Sequence, residues 1–188
     1  LPDGNRRDEP SALAGAVKAL PMRGGIARGL GRSYGDPAQN SGGHVIRLVP
    51  THDAVAVDDA AGTVTVSAGV SIDDLLAIIV PRGWFVPVTP GTRFVTIGGA
   101  IASDIHGKNH HRAGSFGCHV RRFELWRSDR SRRECAPGES SELFRATIGG
   151  LGLTGLILWV ELALKPISST SIEVETLAIT DLDHFFRL

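Results

Sequence analysis

Three segments hold the residues best suited to chemistry. The first, residues 28–36, reads Arg28-Gly29-Leu30-Gly31-Arg32-Ser33-Tyr34-Gly35-Asp36. Glycines packed around two arginines let main-chain N–H groups approach an anion closely, because no Cβ stands in the way. The second, Pro90-Gly91-Thr92 followed by Thr96-Ile97-Gly98-Gly99-Ala100, offers the same opportunity at another point of the fold. Two such loops suit a ligand with a pyrophosphate and a long body, such as a dinucleotide. The first loop is not a Rossmann fingerprint, since Tyr34 stands where Gly29-x-Gly31 would need a third glycine. Nor is there a P-loop: the Gly107-Lys108 pair is followed by Asn109.

The third segment is Ser103-Asp104-Ile105-His106-Gly107-Lys108-Asn109-His110-His111. His106 and His110 have the spacing of a helical metal pair, but Gly107 and Asn109 disfavour a helix between them. No Cys or Glu completes a ligand set, so no metal is expected. His110, His111 and His119 read as ordinary loop histidines. His106 and Lys108 are different, because a redox cofactor that gains negative charge needs a positive group or a donor beside it. Both follow closely on the second glycine loop. They are the catalytic candidates, with Tyr34 as a residue that could align the cofactor.

The rest of the chain must position these groups. Its 188 residues allow one ordinary domain or two small subdomains. The formal net charge is zero, so neither nucleic acid nor an anionic membrane is favoured as the main partner. The arginines at 121, 122, 127, 130, 132 and 133 are interspersed with Glu124, Asp129 and Glu134, the pattern of a solvated hairpin. No apolar run approaches the length of a transmembrane helix, and no leader is evident. Cys118 and Cys135 form neither a metal pair nor a disulfide framework, which points to free thiols in a reducing compartment. A cytoplasmic placement is expected, with peripheral association with a membrane left open. Trp84, Trp126 and Trp159 sit in or beside apolar segments and are expected in the core.

Hydrophobic spacing predicts a helix over 11–20 after a frayed polar start, a buried strand over 45–49, and an alternating Thr/Val strand over 63–68. Ser71 caps a further helix with Asp73 and Asp74 in its first turn, ending at Pro81. Val86 to Val88 is extended. Thr96 to Ser103 predicts a helix whose N-terminus faces the ligand. A strand over 120–126 leads into the charged hairpin, and Ser140 or Ser141 caps a helix ended by Gly149-Gly150. A long strand over 155–164 ends at Pro166, and a last strand covers 171–177. The fold class is α+β: a small mixed sheet, then a mostly antiparallel sheet with helices, and the glycine loops between them. Residues 1–166 form the cofactor unit, with subdomains of about 10–80 and 81–166. Residues 167–188, ending Phe185-Phe186-Arg187-Leu188, read as the start of a further, truncated domain.

The run Ala27-Arg28-Gly29-Leu30-Gly31-Arg32-Ser33-Tyr34-Gly35-Asp36-Pro37 resembles the first FAD loop of the vanillyl-alcohol-oxidase type flavoproteins, whose FAD domain is of the PCMH type. With Thr89-Pro90-Gly91-Thr92, the run from Thr96 to His111 and Gly152-Leu153-Thr154-Gly155, the resemblance narrows to the decaprenylphosphoryl-ribose oxidase branch. It covers about residues 10–180. It implies two α+β subdomains with FAD stretched between them. Ala27 to Pro37 and Gly91 would wrap the pyrophosphate. Thr96, Ile97, Gly98, Gly99, Ser103, Asp104, Ile105, His106 and Ile157 would line the rest, with His106 near the isoalloxazine and Lys108 toward the substrate.

Many proteins of this type attach FAD covalently through a histidine of the first loop. Here Arg32 occupies that place, so non-covalent FAD is expected. The implied reaction is oxidation of a secondary alcohol of a sugar-like, lipid-phosphate-linked substrate to a ketone, with a partner reductase or other acceptor taking the electrons. Other sugar, alditol or lactone oxidases of the superfamily are the rival reading, and a module that binds FAD without catalysis is a third.

Overall fold

The computed structural model describes residues 23–50, 54–138 and 141–188. The helix expected over 11–20 and the cap at Ser140 lie outside them. The first glycine loop is framed by β1 (Gly25–Ala27) and β2 (His44–Ile46), which pair in parallel as a two-stranded sheet. The expected buried strand over 45–49 is corrected here. Only three residues are extended, and Val45 and Val49 are exposed, because β2 pairs with β1 alone and has no second neighbour among the described residues.

The larger sheet begins with β3 (Val55–Asp58) and β4 (Thr63–Ser67). The alternation in β4 works as read: Val64 and Val66 are buried while Thr63, Thr65 and Ser67 are only half-buried on the other face. Helix α1 (Ile72–Ile79) follows. The Ser71 hydroxyl accepts the Asp74 N–H at 3.0 Å, a cap whose removal typically costs about 1 kcal/mol. Pro81 lies in a single 3₁₀ turn that ends the helix, since a prolyl nitrogen cannot donate to the preceding turn. Next come β5 (Trp84–Phe85), α2 (Ile97–Ala102), α3 (His110–Ala113), β6 (Val120–Trp126) and β7 (Arg132–Cys135). The chain continues through α4 (Ser141–Thr147), β8 (Leu156–Ala163), β9 (Lys165–Pro166) and α5 (Leu182–Arg187).

Strands β3-β4-β8-β6-β7 form one five-stranded sheet, antiparallel throughout. This topology moves the expected subdomain boundary. Strands β3 and β4 precede residue 80, yet they share a hydrogen-bonded sheet with β6 to β8, so a division at 80–81 would cut through it. The buried face carries Val64, Val66, Phe123, Leu125, Val160 and Leu162, and α2 contributes Ile97, Ala100 and Ile101 to the same core.

The opposite face is polar. Arg122 pairs with Glu161 at 2.7 Å and with Glu134 at 2.8 Å, and Arg132 pairs with Glu124 at 2.6 Å. The arginine-rich stretch is thus the solvated hairpin its charge pattern implied. Trp159 belongs to this face rather than to the core: its indole N–H donates to Glu124 at 2.8 Å, and the Arg122 guanidinium lies over its ring. Trp84 and Trp126 are also only half-buried.

At the C-terminal end the long strand stops at Ala163, and Pro166, the last residue of β9, pairs with Trp84 of β5. One further expectation fails there. Residues 171–177 form no strand, and Ile172, Val174 and Leu177 are exposed, because no described sheet edge is offered to them. Phe185 and Phe186, on α5, are exposed as well.

Both cysteines are free. Cys118 is exposed, whereas Cys135 is buried in β7, and burial pushes its thiol up from the ordinary range. Thiolate is the reactive form. An alkylating reagent in mildly alkaline buffer is therefore expected to label Cys118 in the native protein and Cys135 only after unfolding, read by peptide mass mapping. Equal native labelling of both would contradict this packing.

Candidate functional site

The first glycine loop leaves the sheet where Arg28 N–H donates to the Ile46 carbonyl at 2.9 Å. Main-chain bonding resumes where Gln39 N–H donates to the Asp36 carbonyl at 2.9 Å. Between them, no main-chain N–H from Gly29 to Asp36 finds a partner among the described residues. Gly31 and Gly35 take the left-handed conformation, φ 66° and 67°, which a residue without a Cβ adopts without strain. Arg28 and Arg32 are exposed and form no ion pair among the described residues. Tyr34 is 98 % exposed. An array of free N–H donors with two guanidiniums beside it is the donor set a pyrophosphate needs.

The loop is held against the second glycine segment. A methyl group on Gly29 would overlap the Thr96 hydroxyl, so the loop backbone lies directly against the Thr96 side chain here. Thr96 is buried and caps α2 by accepting the Gly99 N–H at 3.1 Å.

The start of α2 is not an anion cradle, which corrects the expectation for Gly98-Gly99. Ile97 N–H is taken by the Val70 carbonyl at 2.9 Å, Gly98 N–H by Ala68 at 2.8 Å, and Gly99 N–H by Thr96. These amides dock α2 onto the end of β4. A Cβ on Gly98 would stand 3.0 Å from the Ala68 Cβ, so the glycine serves packing there. Gly91, by contrast, has nothing within 4 Å of a Cβ and stays open to a ligand.

Beyond α2 the chain turns at Ser103 and Asp104 and presents His106, which bridges to Ser115 in antiparallel fashion. His106 and Lys108 are exposed. The segment is tied to the extended stretch before Gly91, with Asn109 donating to the Pro87 carbonyl at 3.0 Å and Gly107 pressed against Thr89. The rings of His106 and His110 lie edge to face with centroids 5.6 Å apart. Among the described residues no group of three or more His, Cys, Asp or Glu could hold a metal. His119 takes the Ala113 carbonyl at 2.9 Å, an ordinary loop contact as expected.

The structure thus joins the first loop, Thr96, the 87–91 turn and the His106 segment around the ends of α2. Ile97 and Ile157 stand apart, with side chains buried in the core, so neither lines a surface. Sequence reading missed Thr89 and Pro87 as anchors of the His106 segment, because a backbone carbonyl carries no sequence signal. A surface cavity of about 660 Å³ lies elsewhere, between the hairpin residues Arg127, Arg133 and Cys135 and the start of α4.

Residues 13–136 match the model of the FAD binding domain, and the chain belongs to that family. The donor set of the first loop fits the cofactor the family name states. Among curated proteins the chain is 51% identical to decaprenylphosphoryl-beta-D-ribose oxidase of Mycolicibacterium smegmatis, over 84% of this chain and 35% of that protein. It is 30% identical to human delta(24)-sterol reductase over 63% of this chain and 23% of the relative. A putative D-arabinono-1,4-lactone oxidase of Neurospora crassa matches at 26% identity over 66% and 22%. The chain therefore spans at most about a third of these relatives. No described helix is long and apolar enough to cross a membrane.

Proposed function

We propose that this chain is the FAD-binding part of an oxidoreductase that converts a secondary alcohol of a sugar-like, lipid-phosphate-linked substrate to a ketone. The observation that carries the reading is the run from Gly29 to Asp36, whose main-chain N–H groups find no partner among the described residues, with Arg28 just before it and Arg32 within it. Sequence likeness to the Mycolicibacterium oxidase supports the substrate class. When bound, FAD supplies the hydride acceptor for the alcohol carbon.

The chain's own residues bind and orient. Ala27 to Pro37 and Gly91 hold the pyrophosphate, while Ser103 to Ile105 and the Thr96–Gly99 turn bring His106 to the isoalloxazine. His106 and Lys108 supply donors and positive charge where negative charge develops. Tyr34, exposed on the first loop, helps align the cofactor. The hydroxyl proton passes to a base outside these residues, and a partner reductase or other acceptor removes the electrons. A cytoplasmic protein with peripheral access to a lipid-linked substrate suits this chemistry.

The likeness to the lactone oxidase keeps a second reading in view, oxidation of a free sugar, alditol or lactone. Hydrogen peroxide formed from free alditols would select it. A requirement for a lipid-phosphate substrate and a reductase selects the first reading.

The cofactor reading itself has a direct check. Purified protein is expected to carry the visible absorbance of oxidised flavin and to lose all of it to the supernatant on acid precipitation, because Arg32 cannot form the covalent link. Arg32→Ala is expected to weaken FAD binding about tenfold, roughly 1.4 kcal/mol, by loss of a charge-assisted bond. Protein that takes up no flavin, or flavin that stays with the pellet, overturns the corresponding claim.

A further inference from the structure

The corner between α2 and His106 is built in an unusual way. Ser103 is the C-cap of α2, Asp104 N–H donates to the Ile101 carbonyl and Ile105 N–H to the Ala100 carbonyl, both at 3.0 Å. These two bonds define a Schellman motif, in which the residue after the cap is left-handed and most often glycine. Here it is Asp104, at φ 40°. A non-glycine residue held in that region is strained, and it persists only where its surroundings over-determine it.

The surroundings are specific. The Asp104 carboxylate Oδ1 accepts the Gly117 N–H at 2.9 Å. A side chain on Gly117 would collide with Ile148 and come within 2.9 Å of that same Oδ1, so the glycine makes room for the bond. Immediately beside it, Phe116 N–H donates to the Ile105 carbonyl at 2.8 Å and His106 bridges to Ser115. Residues 104–106 and 115–117 therefore run together as a short ladder whose outermost rung is a side chain. Behind the corner, Gly149 N–H donates to the Ile101 carbonyl, and a Cβ added at Gly149 would stand 3.6 Å from the Asp104 Cβ.

Resting on the reading that His106 stands beside the isoalloxazine, we propose that Asp104 is the positioning residue for His106. It acts by pinning the left-handed corner to Gly117, not by touching the cofactor. A glycine would form the same corner without strain but without the tether. The carboxylate turns a flexible turn into a fixed one, and His106 is two residues away.

The test compares Asp104→Gly, Asp104→Asn, His106→Ala and Val64→Ala in the FAD-loaded protein. The readouts are the midpoint potential and visible spectrum of the bound flavin, beside thermal stability. His106→Ala is expected to shift both flavin readouts. Asp104→Gly is expected to reproduce most of that shift with near-native stability, since it removes the tether and the strain together. Asp104→Asn keeps an oxygen acceptor and tolerates the left-handed region, so it is expected to restore the native signature. Val64→Ala, a core change in β4, lowers stability and leaves the flavin signature unmoved.

A native signature in Asp104→Gly beside a shifted one in His106→Ala overturns the positioning role alone. An unmoved signature in His106→Ala overturns the placement of His106, and this inference falls with it.

Discussion

Gly29→Ala weakens FAD binding at least 100-fold, about 2.7 kcal/mol, while leaving the protein folded. The single added methyl would occupy the place of the Thr96 hydroxyl. Thr96 cannot simply rotate away. It is buried, and that hydroxyl caps α2 through the Gly99 N–H. The strain is therefore relieved on the other side: the exposed loop moves outward and carries its amides and the two arginines out of place. Binding suffers far more than stability, because the loop makes few bonds with the body of the protein.

The double variant Gly29→Ala, Thr96→Ala separates this account from a general loop defect. Removing the Thr96 hydroxyl alone costs about 1 kcal/mol of stability through the lost cap, yet in the double variant it makes room for the methyl. FAD affinity is expected to recover by tenfold or more relative to Gly29→Ala, a positive coupling between the two sites. Isothermal titration or flavin fluorescence measures it. Strict additivity would mean that the loop and α2 are not in contact.

What was legible in the sequence and what was not divides along a physical line. Signals confined to one element read correctly. Ser71 with Asp73 and Asp74 marked the start of α1, the Thr/Val alternation marked β4, and the 120–126 run matches β6 residue for residue. Signals that needed a partner did not. Residues 45–49 and 171–177 look like strands, but a strand is completed by its neighbours, and these segments find too few or none among the described residues. The boundary at residue 80 failed for the same reason, since the pairing of β4 with β8 spans almost the length of the sheet unit and leaves no trace in local composition.

The site shows the same division. Glycine content located the first loop, and the loop's geometry suits an anion. It also suggested that Gly98-Gly99 would present free amides, but Val70 and Ala68 take them. A double glycine looks alike in sequence whether it cradles a ligand or lets a helix settle onto a strand. Asp104 was read as a residue lining the cofactor, and its place at the corner carried no signal, because its left-handed backbone and its bond to Gly117 are fixed by tertiary context. His106 was singled out by its chemistry, whereas the corner before it shows only in the geometry.

The loops and the His106 corner depend on a sheet that does not yield, and Phe123→Ala tests that dependence. Phe123 is fully buried in β6, opposite Cys135 of β7 and Val160 of β8. Its ring stacks on Phe144 of α4, with centroids 5.2 Å apart and planes at 13°. Truncation removes both the transfer energy of the ring and its contacts, leaving a cavity among rigid strands, so a loss of about 3–5 kcal/mol is expected. For a chain of this size that corresponds to a fall in melting temperature of roughly 10 °C. Urea unfolding should show a lower midpoint with an unchanged slope. The variant's remaining folded fraction should still bind FAD with near-native affinity, because Phe123 lies in the sheet interior and packs toward α4. A loss below about 1 kcal/mol would mean that the site collapses to fill the space, and that α4 does not seal this end of the sheet as the stacking of Phe144 indicates.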